Sequence, residues 1–282
     1  MSRTVYVNGS FVPEAEAKVS VFDRAFLFAD GVYEVTAVVG GRTLDLDAHL
    51  SRLGRSLAEL QITPPLTQAE LRALHQELIA RNCVDEGLLY LEITRGAADR
   101  DFAYPEDAHP TVVAFTQNRP LVDNPYAVSG VKVITIPDIR WKRRDIKSTS
   151  LLAQTMGKQE AKRRGAYEAW MVEDGVVTEG TSSTAFILDA GGHLRTQPLG
   201  HHILPGVTRR AVMRLAEARG LTIEERPFTV AEAVQAREAF LTAASAFVLP
   251  VVDIDGVPIG DGRPGPVAAD FRRLYIEEAQ RV

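Results

Sequence analysis

The sequence predicts an α+β protein of two modest domains, and three observations carry that expectation. Its 282 residues exceed the roughly 100–200 of one ordinary domain. Segments with helical periodicity and segments rich in Val, Ile, Tyr and Thr both occur along the whole chain. The stretch Asn118-Arg119-Pro120-Leu121-Val122-Asp123-Asn124-Pro125 breaks both periodicities with its prolines and Asn/Asp residues. We therefore expect an N-terminal α+β domain over 1–118, a linker over 119–125 and a C-terminal domain over 126–282.

In the first part, strands are expected at 3–7, 31–39 and 88–95 from their β-branched and aromatic content. Asn8-Gly9 reads as the tight turn of an opening hairpin. A helix over 49–60, capped by Asp47, places Leu50, Leu53, Leu57 and Leu60 on one face. A second helix over 70–81, capped by Thr67, buries Leu71, Leu74, Leu78 and Ile79. Residues 111–116 look like a buried strand.

The second part opens with a strand over 131–136, followed by a helix over 151–164 and a strand over 169–172. Asp174-Gly175 and Asp255-Gly256 are turn dipeptides. Strands are expected at 184–188, 239–241 and 249–252, a helix from 208 to Arg219-Gly220, and a terminal helix over 271–280.

Composition excludes several classes. Hydrophobic residues make up 45%, enough for a sizeable core, and the formal charge is −5. An acidic chain whose strongest basic run is Lys142-Arg143-Arg144 predicts no nucleic-acid or anionic-membrane partner. Cys83 is the single cysteine, which forbids an internal disulfide and fits a reducing compartment. The first ten residues lack the apolar core of a signal peptide, and no apolar run approaches the ~20 residues that span a bilayer. A cytoplasmic protein is expected.

Two residues carry the chemistry. Lys147 follows the cationic run Arg140-Trp141-Lys142-Arg143-Arg144 and just precedes a helix. Neighbouring cations disfavour an ammonium, and a lysine so placed can form a Schiff base with an aldehyde. Glu179 sits in Val177-Thr178-Glu179-Gly180-Thr181-Ser182-Ser183, read as a small-residue turn between apolar runs. A lone buried carboxylate is the partner that a pyridinium nitrogen needs. Taken singly, Lys147 is a surface lysine and Glu179 a turn carboxylate; together they point to pyridoxal 5′-phosphate.

Leu204-Pro205-Gly206-Val207-Thr208-Arg209 offers a phosphate seat, because glycine permits close backbone approach and the helix after it presents free N–H groups. Arg52 is a candidate second ligand, although most helix arginines are simply solvated. No metal site is expected: His201-His202 are adjacent and face different ways, with no carboxylate at ligand spacing. No Gly-x-Ser-x-Gly elbow occurs.

An ordered set of segments resembles the fold-type IV pyridoxal phosphate enzymes, most closely the D-amino acid aminotransferases. It comprises Asp23-Arg24, Asp30-Gly31-Val32-Tyr33-Glu34-Val35, His49-Leu50-Ser51-Arg52-Leu53, Thr94-Arg95-Gly96 and Asp138-Ile139-Arg140-Trp141. Asp145-Ile146-Lys147-Ser148, Lys158-Gln159-Glu160-Ala161, Thr178-Glu179-Gly180 and Gly206-Val207-Thr208-Arg209 complete it. The resemblance implies a β-barrel-like C-terminal domain, with the cofactor in the cleft between two domains of a homodimer whose active sites are shared. It implies that Lys147 forms the Schiff base and shuttles the proton between Cα and C4′, while Glu179 pairs with the pyridine nitrogen. Arg52, Gly206, Val207 and Thr208 would hold the phosphate, with Ala244 and Ser245 from the loop after Thr242. Arg140 would lie near the phenolic oxygen, and Tyr33, Ser182 and Arg100 would meet the substrate, Arg100 reaching in from the partner subunit.

Three positions depart from the family pattern. Arg100-Asp101-Phe102 stands where an arginine is followed two residues on by a histidine. Ala243-Ala244-Ser245 replaces a serine or threonine pair, and Phe247 replaces a frequent glutamate. The resemblance implies amino transfer from a D-amino acid such as D-alanine to 2-oxoglutarate or pyruvate. The alternatives are an (R)-amine transaminase, a branched-chain aminotransferase, an aminodeoxychorismate lyase, or a silent binder of the cofactor.

Overall fold

The computed structural model describes residues 2–281. The chain divides into two compact units. One is the chain up to Leu121 together with Ile146–Ser150; the other is Val122–Asp145 and the chain from Leu151 onward.

The first unit begins with the hairpin β1 (Thr4–Val7) and β2 (Ser10–Pro13). Asn8 and Gly9 both take positive φ, 45° and 93°, as a type I′ turn requires. A short helix α1 (Arg24–Phe28) leads into β3 (Gly31–Val39) and β4 (Arg42–Thr43). Helices α2 (Leu46–Glu59) and α3 (Gln68–Arg81) precede β5 (Glu86–Thr94) and β6 (Val112–Asn118). The strands form an antiparallel sheet in the order β2-β1-β6-β5-β3-β4. Its core gathers Leu50, Leu53, Leu57, Leu74, Leu78 and Leu89, all buried. Thr67 caps α3 with a full capping box, its hydroxyl accepting from Glu70 N–H while the Glu70 carboxylate accepts from Thr67 N–H. Asp47 is not the cap of α2. The helix starts earlier, at Leu46, and Asp47 lies in its first turn with its carboxylate ion-paired to Arg72 of α3.

Residues Ile146–Ser150 complete this unit. β4 pairs only with the end of β3, at Val38 and Val39, so the start of that strand has an uncovered edge. Ser148 bridges to Val32 there, Tyr33 N–H donates to Lys147 O at 3.0 Å, and Thr149 N–H donates to Gly31 O at 3.0 Å. Ile146 is buried among the core side chains.

The second unit contains α4 (Pro125–Ser129), β7 (Val131–Pro137), α5 (Leu152–Arg163), β8 (Glu168–Glu173) and β9 (Val176–Gly180). It continues with β10 (Thr184–Leu188), β11 (Leu194–Thr196), α6 (Val207–Ala218), β12 (Ile223–Glu225) and α7 (Val230–Val234). β13 (Glu238–Ala243), β14 (Phe247–Ile254), β15 (Val257–Pro258) and α8 (Pro266–Arg281) end it. The mixed sheet runs β12-β11-β10-β13-β14-β7-β8-β9, with β15 on β14. Five strand spacings separate β9 from β10 in that order. A flat sheet would hold them roughly 24 Å apart at about 4.8 Å per step. Yet only Thr181, Ser182 and Ser183 join them, a reach of at most about 14 Å. The sheet is therefore rolled on itself around Trp170, Phe228, Leu241, Leu249 and Ile254.

The segment around Glu179, expected to be a turn, is the end of β9, with Gly180 opposite Trp170 of β8. The tight turn lies instead at Asp174-Gly175, whose φ values are 52° and 81°. Among the described residues, no helix is long and apolar enough to cross a membrane.

Candidate active site

In the first unit the site is built on one strand and one helix. Lys147 is anchored by its backbone: its N–H donates to Ser56 Oγ at 3.2 Å, and its carbonyl accepts from Tyr33. Its ammonium lies 4.2 Å from the centre of the Tyr33 ring, a cation–π contact. Ser56 and Arg52 are four residues apart on α2 and so share a face, which brings Arg52 to the side of the helix that meets Lys147.

Arg52 is not a solvated helix arginine. Its Nε donates to Glu34 Oε1 at 2.8 Å and its Nη2 to Glu34 Oε2 at 2.7 Å. His49 Nδ1 lies 2.7 Å from the same Oε2. Burial alone would push the Glu34 carboxyl up, but Arg52 and His49 overcome it and hold the pKa down at about 2. Glu34 follows Tyr33 in β3, so the two side chains point to opposite faces of the sheet. On the Tyr33 face, Tyr33 stacks on Tyr90 at 5.5 Å and Tyr90 on Phe115 at 4.9 Å. Tyr90, Phe115 and Glu92 line a cavity of about 400 Å³. Burial pushes both Tyr90 and Glu92 up, and the Tyr90 hydroxyl donates to Glu92 at 2.6 Å.

In the second unit Glu179 is buried but not lone. Arg140 Nη1 donates to its Oε1, and Leu204 N–H lies 3.2 and 3.3 Å from its two oxygens. Burial pushes its carboxyl up, against the pull of Arg140 and Leu204. Arg140 is itself held from behind by Asp138, Nε at 2.9 Å and Nη2 at 2.6 Å, and Thr178 Oγ1 donates to Asp138 at 2.7 Å. Burial works against the Arg140 charge, but Asp138 and Glu179 keep its pKa raised. Leu204 also leads into the start of α6, so one short segment joins Glu179 to the helix N-terminus. Gly206 is the N-cap, with no side chain to satisfy the first-turn N–H groups, and Val207 and Thr208 open the helix.

Ser182 belongs to a turn fixed by Glu168. That buried carboxylate accepts from the hydroxyls of Thr181, Ser182 and Ser183, the last two at 3.1 Å. A hydroxyl has one proton to give, so Ser182 Oγ is left as an acceptor toward anything else. Ala244 and Ser245 lie in the turn between β13 and β14. Phe247 takes a left-handed φ of 58° and is wholly buried; Arg272 lies 5.4 Å from its ring and donates to Ala246 O and Val248 O.

One expectation loses its basis. The cationic loop carries no unbalanced charge: Lys142 and Arg144 pair with Glu173, Arg144 also with Asp138 at 3.2 Å, and Arg143 with Asp145 at 3.1 Å. What stands beside the Lys147 ammonium is an aromatic ring. The Arg100 guanidinium rests on the rings of Phe28 and Phe102, at 5.2 and 5.3 Å. Among the described residues, Asp189, His193 and Glu224 are close enough to bracket a cation, but Arg195 already fills that place, at 2.5 Å from Asp189 and 2.7 Å from Glu224.

Comparison with known proteins agrees with this geometry. Residues 31–254 match the family Amino-transferase class IV. A D-alanine aminotransferase of Bacillus licheniformis is 41% identical over 270 residues, 95% of this chain and 94% of that protein. A D-alanine aminotransferase of Staphylococcus aureus (strain N315) is 37% identical over 97% of this chain and 98% of its own length. A branched-chain aminotransferase from the thermophilic archaeon Thermoproteus uzoniensis, solved with norvaline, superposes with a TM-score of 0.85 at 28% identity, covering 98% of this chain and 94% of that one. The chain belongs to the class IV aminotransferases, enzymes that use pyridoxal 5′-phosphate.

The residues fit that cofactor by their chemistry. The first unit holds an amine, the group an aldehyde condenses with, and a buttressed guanidinium, a group suited to a phosphate. The second unit holds a buried carboxylate, a group suited to a protonated ring nitrogen, and an uncapped helix start. A Cβ at Gly206 would come within 2.8 Å of Thr184 Oγ1, so the helix start keeps its close approach only with glycine.

Arg24, Glu34 and Asp138 stand in segments that carry the resemblance but receive no role from the sequence, and Glu168 is not singled out there at all. Glu34 and Glu168 do leave a signal there, because a carboxylate inside an otherwise apolar strand is almost always buried with a partner. Asp138 leaves no such mark.

Proposed function

We propose that this class IV aminotransferase moves the amino group of a D-amino acid, D-alanine or one like it, to 2-oxoglutarate or pyruvate. The observation that carries the aminotransferase chemistry is the buried Glu179 carboxylate, braced by Arg140 and by the segment that opens α6. The two relatives named D-alanine aminotransferase, each covering at least 95% of the chain, support the choice of D-amino acids.

The bound cofactor supplies an electron sink for the substrate Cα–H bond. Lys147 Nζ would hold the cofactor by its aldehyde and would serve as the base that moves the proton at the substrate Cα. Glu179 keeps the pyridine nitrogen protonated. Arg52, Gly206, Val207 and Thr208 hold the phosphate, joined by backbone groups of Ala244 and Ser245. Arg140 would lie by the phenolic oxygen, and Tyr33 would bind the substrate carboxylate together with Arg100 reaching in from the partner subunit. Ser182, its proton committed to Glu168, accepts from the substrate amine.

A homodimer suits the surface of the first unit, where Val21, Phe22, Phe26, Phe102 and Tyr104 are exposed together with Val19. We assign the enzyme to the cytoplasm, where a chain with one cysteine needs no oxidative partner.

A single-turnover assay tests the reading. Mixed with D-alanine alone, the holoenzyme should convert fully to the amine form of its cofactor, and L-alanine should do so at least about 100-fold more slowly, a difference of roughly 2.7 kcal/mol in barrier. Borohydride reduction and peptide mapping should place the pyridoxyl group on Lys147. An adduct on Lys142 or Lys158 instead, or conversion by L-alanine at the same rate, overturns it.

A further inference from the structure

The loop that carries Arg100 is held by a side chain with no assigned role. Arg24 is buried at the start of α1. Its Nη1 donates to the carbonyls of Asp101 at 2.6 Å and Ala103 at 3.2 Å, and its Nη2 lies 3.5 Å from Phe102 O. One guanidinium thus gathers three successive carbonyl oxygens, starting at the residue after Arg100. Its remaining edge is spent on Asp30, with Nε 2.8 Å from Oδ2.

Asp30 is shared. Arg95 donates to it through Nε at 2.8 Å and Nη2 at 3.1 Å, and lies 3.5 Å above the ring of Tyr104, at the far side of the loop. Phe28, at the end of α1, is tilted against Phe102 at 5.5 Å and carries both Arg24 and Arg100 on its ring. Asp30 immediately precedes Gly31, where β3 begins, and Tyr33 follows two residues later. The loop that carries Arg100 and the start of the strand that carries Tyr33 are therefore tied to one buried carboxylate, Tyr33 serving the site of its own chain and Arg100 that of the partner subunit.

We infer that Arg24 is a positioning residue for substrate-carboxylate recognition: with Asp30 and Arg95 it latches the loop so that Arg100 is presented in one orientation. An exposed six-residue excursion from Asp99 to Tyr104 has no strand or helix of its own. Left to itself it would sample many conformations, and an arginine on it would lose side-chain and loop entropy on each binding event. Charge-assisted bonds to backbone carbonyls remove that cost beforehand. Phe102 serves the same end as a platform for the Arg100 guanidinium.

This inference rests on Arg100 binding the substrate carboxylate, and a double-mutant cycle separates the two claims. KM for D-alanine and cofactor affinity are measured for wild type, Arg24→Gln, Arg100→Ala and the double variant. Arg24→Gln should raise KM about 10-fold with cofactor affinity and kcat within about 3-fold, and should add nothing to KM in the Arg100→Ala background. Equal effects of Arg24→Gln in both backgrounds, or a parallel loss of cofactor affinity, make Arg24 merely structural and overturn the inference. No effect of Arg24→Gln where Arg100→Ala raises KM overturns the latch alone; no effect of Arg100→Ala overturns both claims. Arg24→Lys, which keeps the charge beside Asp30 but not the fork, covers the case in which the glutamine variant does not fold. It should raise KM about 3-fold, again only when Arg100 is present; a KM equal to wild type in folded Arg24→Lys overturns the latch.

Discussion

Glu34 binds one whole edge of the Arg52 guanidinium, and it does so from the strand position next to Tyr33. Arg52 is the arginine proposed to hold the phosphate, and what stands behind it decides its orientation. Glu34→Gln keeps the shape but offers one acceptor where two were used. We expect cofactor affinity to fall about 10–100-fold, the worth of one to two charge-assisted bonds of about 1.5–3 kcal/mol. Titration of the apoenzyme followed by cofactor absorbance measures it, and unchanged affinity would show that Arg52 orients without help.

Acid stability follows from two buried groups. The Glu34 value lies at about 2, below its ordinary 4.5, so its contribution is complete above 4.5 and is lost as pH falls toward 2. Burial holds His75 at about 4, below 6.5, though its Nδ1 donates to Leu71 O at 2.7 Å. The folded state prefers it neutral, so unfolding takes up a proton and stability declines from pH 6.5 down to 4. His75→Phe should flatten that higher part of the decline, worth on the order of 3 kcal/mol, and leave the Glu34 part below it. Urea midpoints across pH 3–7 are the readout, and an unchanged slope above pH 4.5 would contradict this.

In the role proposed for Glu179, Glu179→Gln would keep a hydrogen bond to the ring nitrogen without the charge that favours its protonated form. Turnover should drop by on the order of 10²–10³ with cofactor still bound. Near wild-type turnover in the fully loaded variant would remove Glu179 from the chemistry.

Glu168→Ala strips one acceptor group from three hydroxyls at once. Thr181 and Ser183 are buried and have no water to turn to. We expect a loss of roughly 2–5 kcal/mol by chemical denaturation. Ser182→Ala, at the exposed position, should cost under about 1 kcal/mol. Equal costs would show that the turn is held by its backbone alone.

Local signals were legible in the sequence. Thr67 with Glu70, and the Asn8-Gly9, Asp174-Gly175 and Asp255-Gly256 turns, declare themselves within four residues because the bonds they make are that short in range. Asp47 misled because a first-turn acid and a cap look alike in sequence, and the cap position fell to Asp45 with a φ of 52°. β9 was hidden because Thr178-Glu179-Gly180 is polar and small; its strand character comes from β8, which only tertiary pairing supplies. Lys147 and Glu179 were identifiable as types of residue. Their settings were not, since Ser56, Tyr33, Arg140 and Leu204 arrive from distant parts of the chain.

The five residues Ile146–Ser150 set a condition on how the protein is made. A ribosome delivers everything up to Leu121 first, and that stretch contains the whole six-stranded sheet. Its β3 nevertheless starts with bare amide and carbonyl groups at Gly31 and Tyr33 until the lysine-bearing strap emerges. An open edge of this kind invites pairing with another nascent chain. A polypeptide halted at Leu121 should therefore associate through that edge, whereas one extended past Ser150 carries its own cover. The residue proposed to bind the cofactor lies in the segment whose arrival seals the nascent sheet.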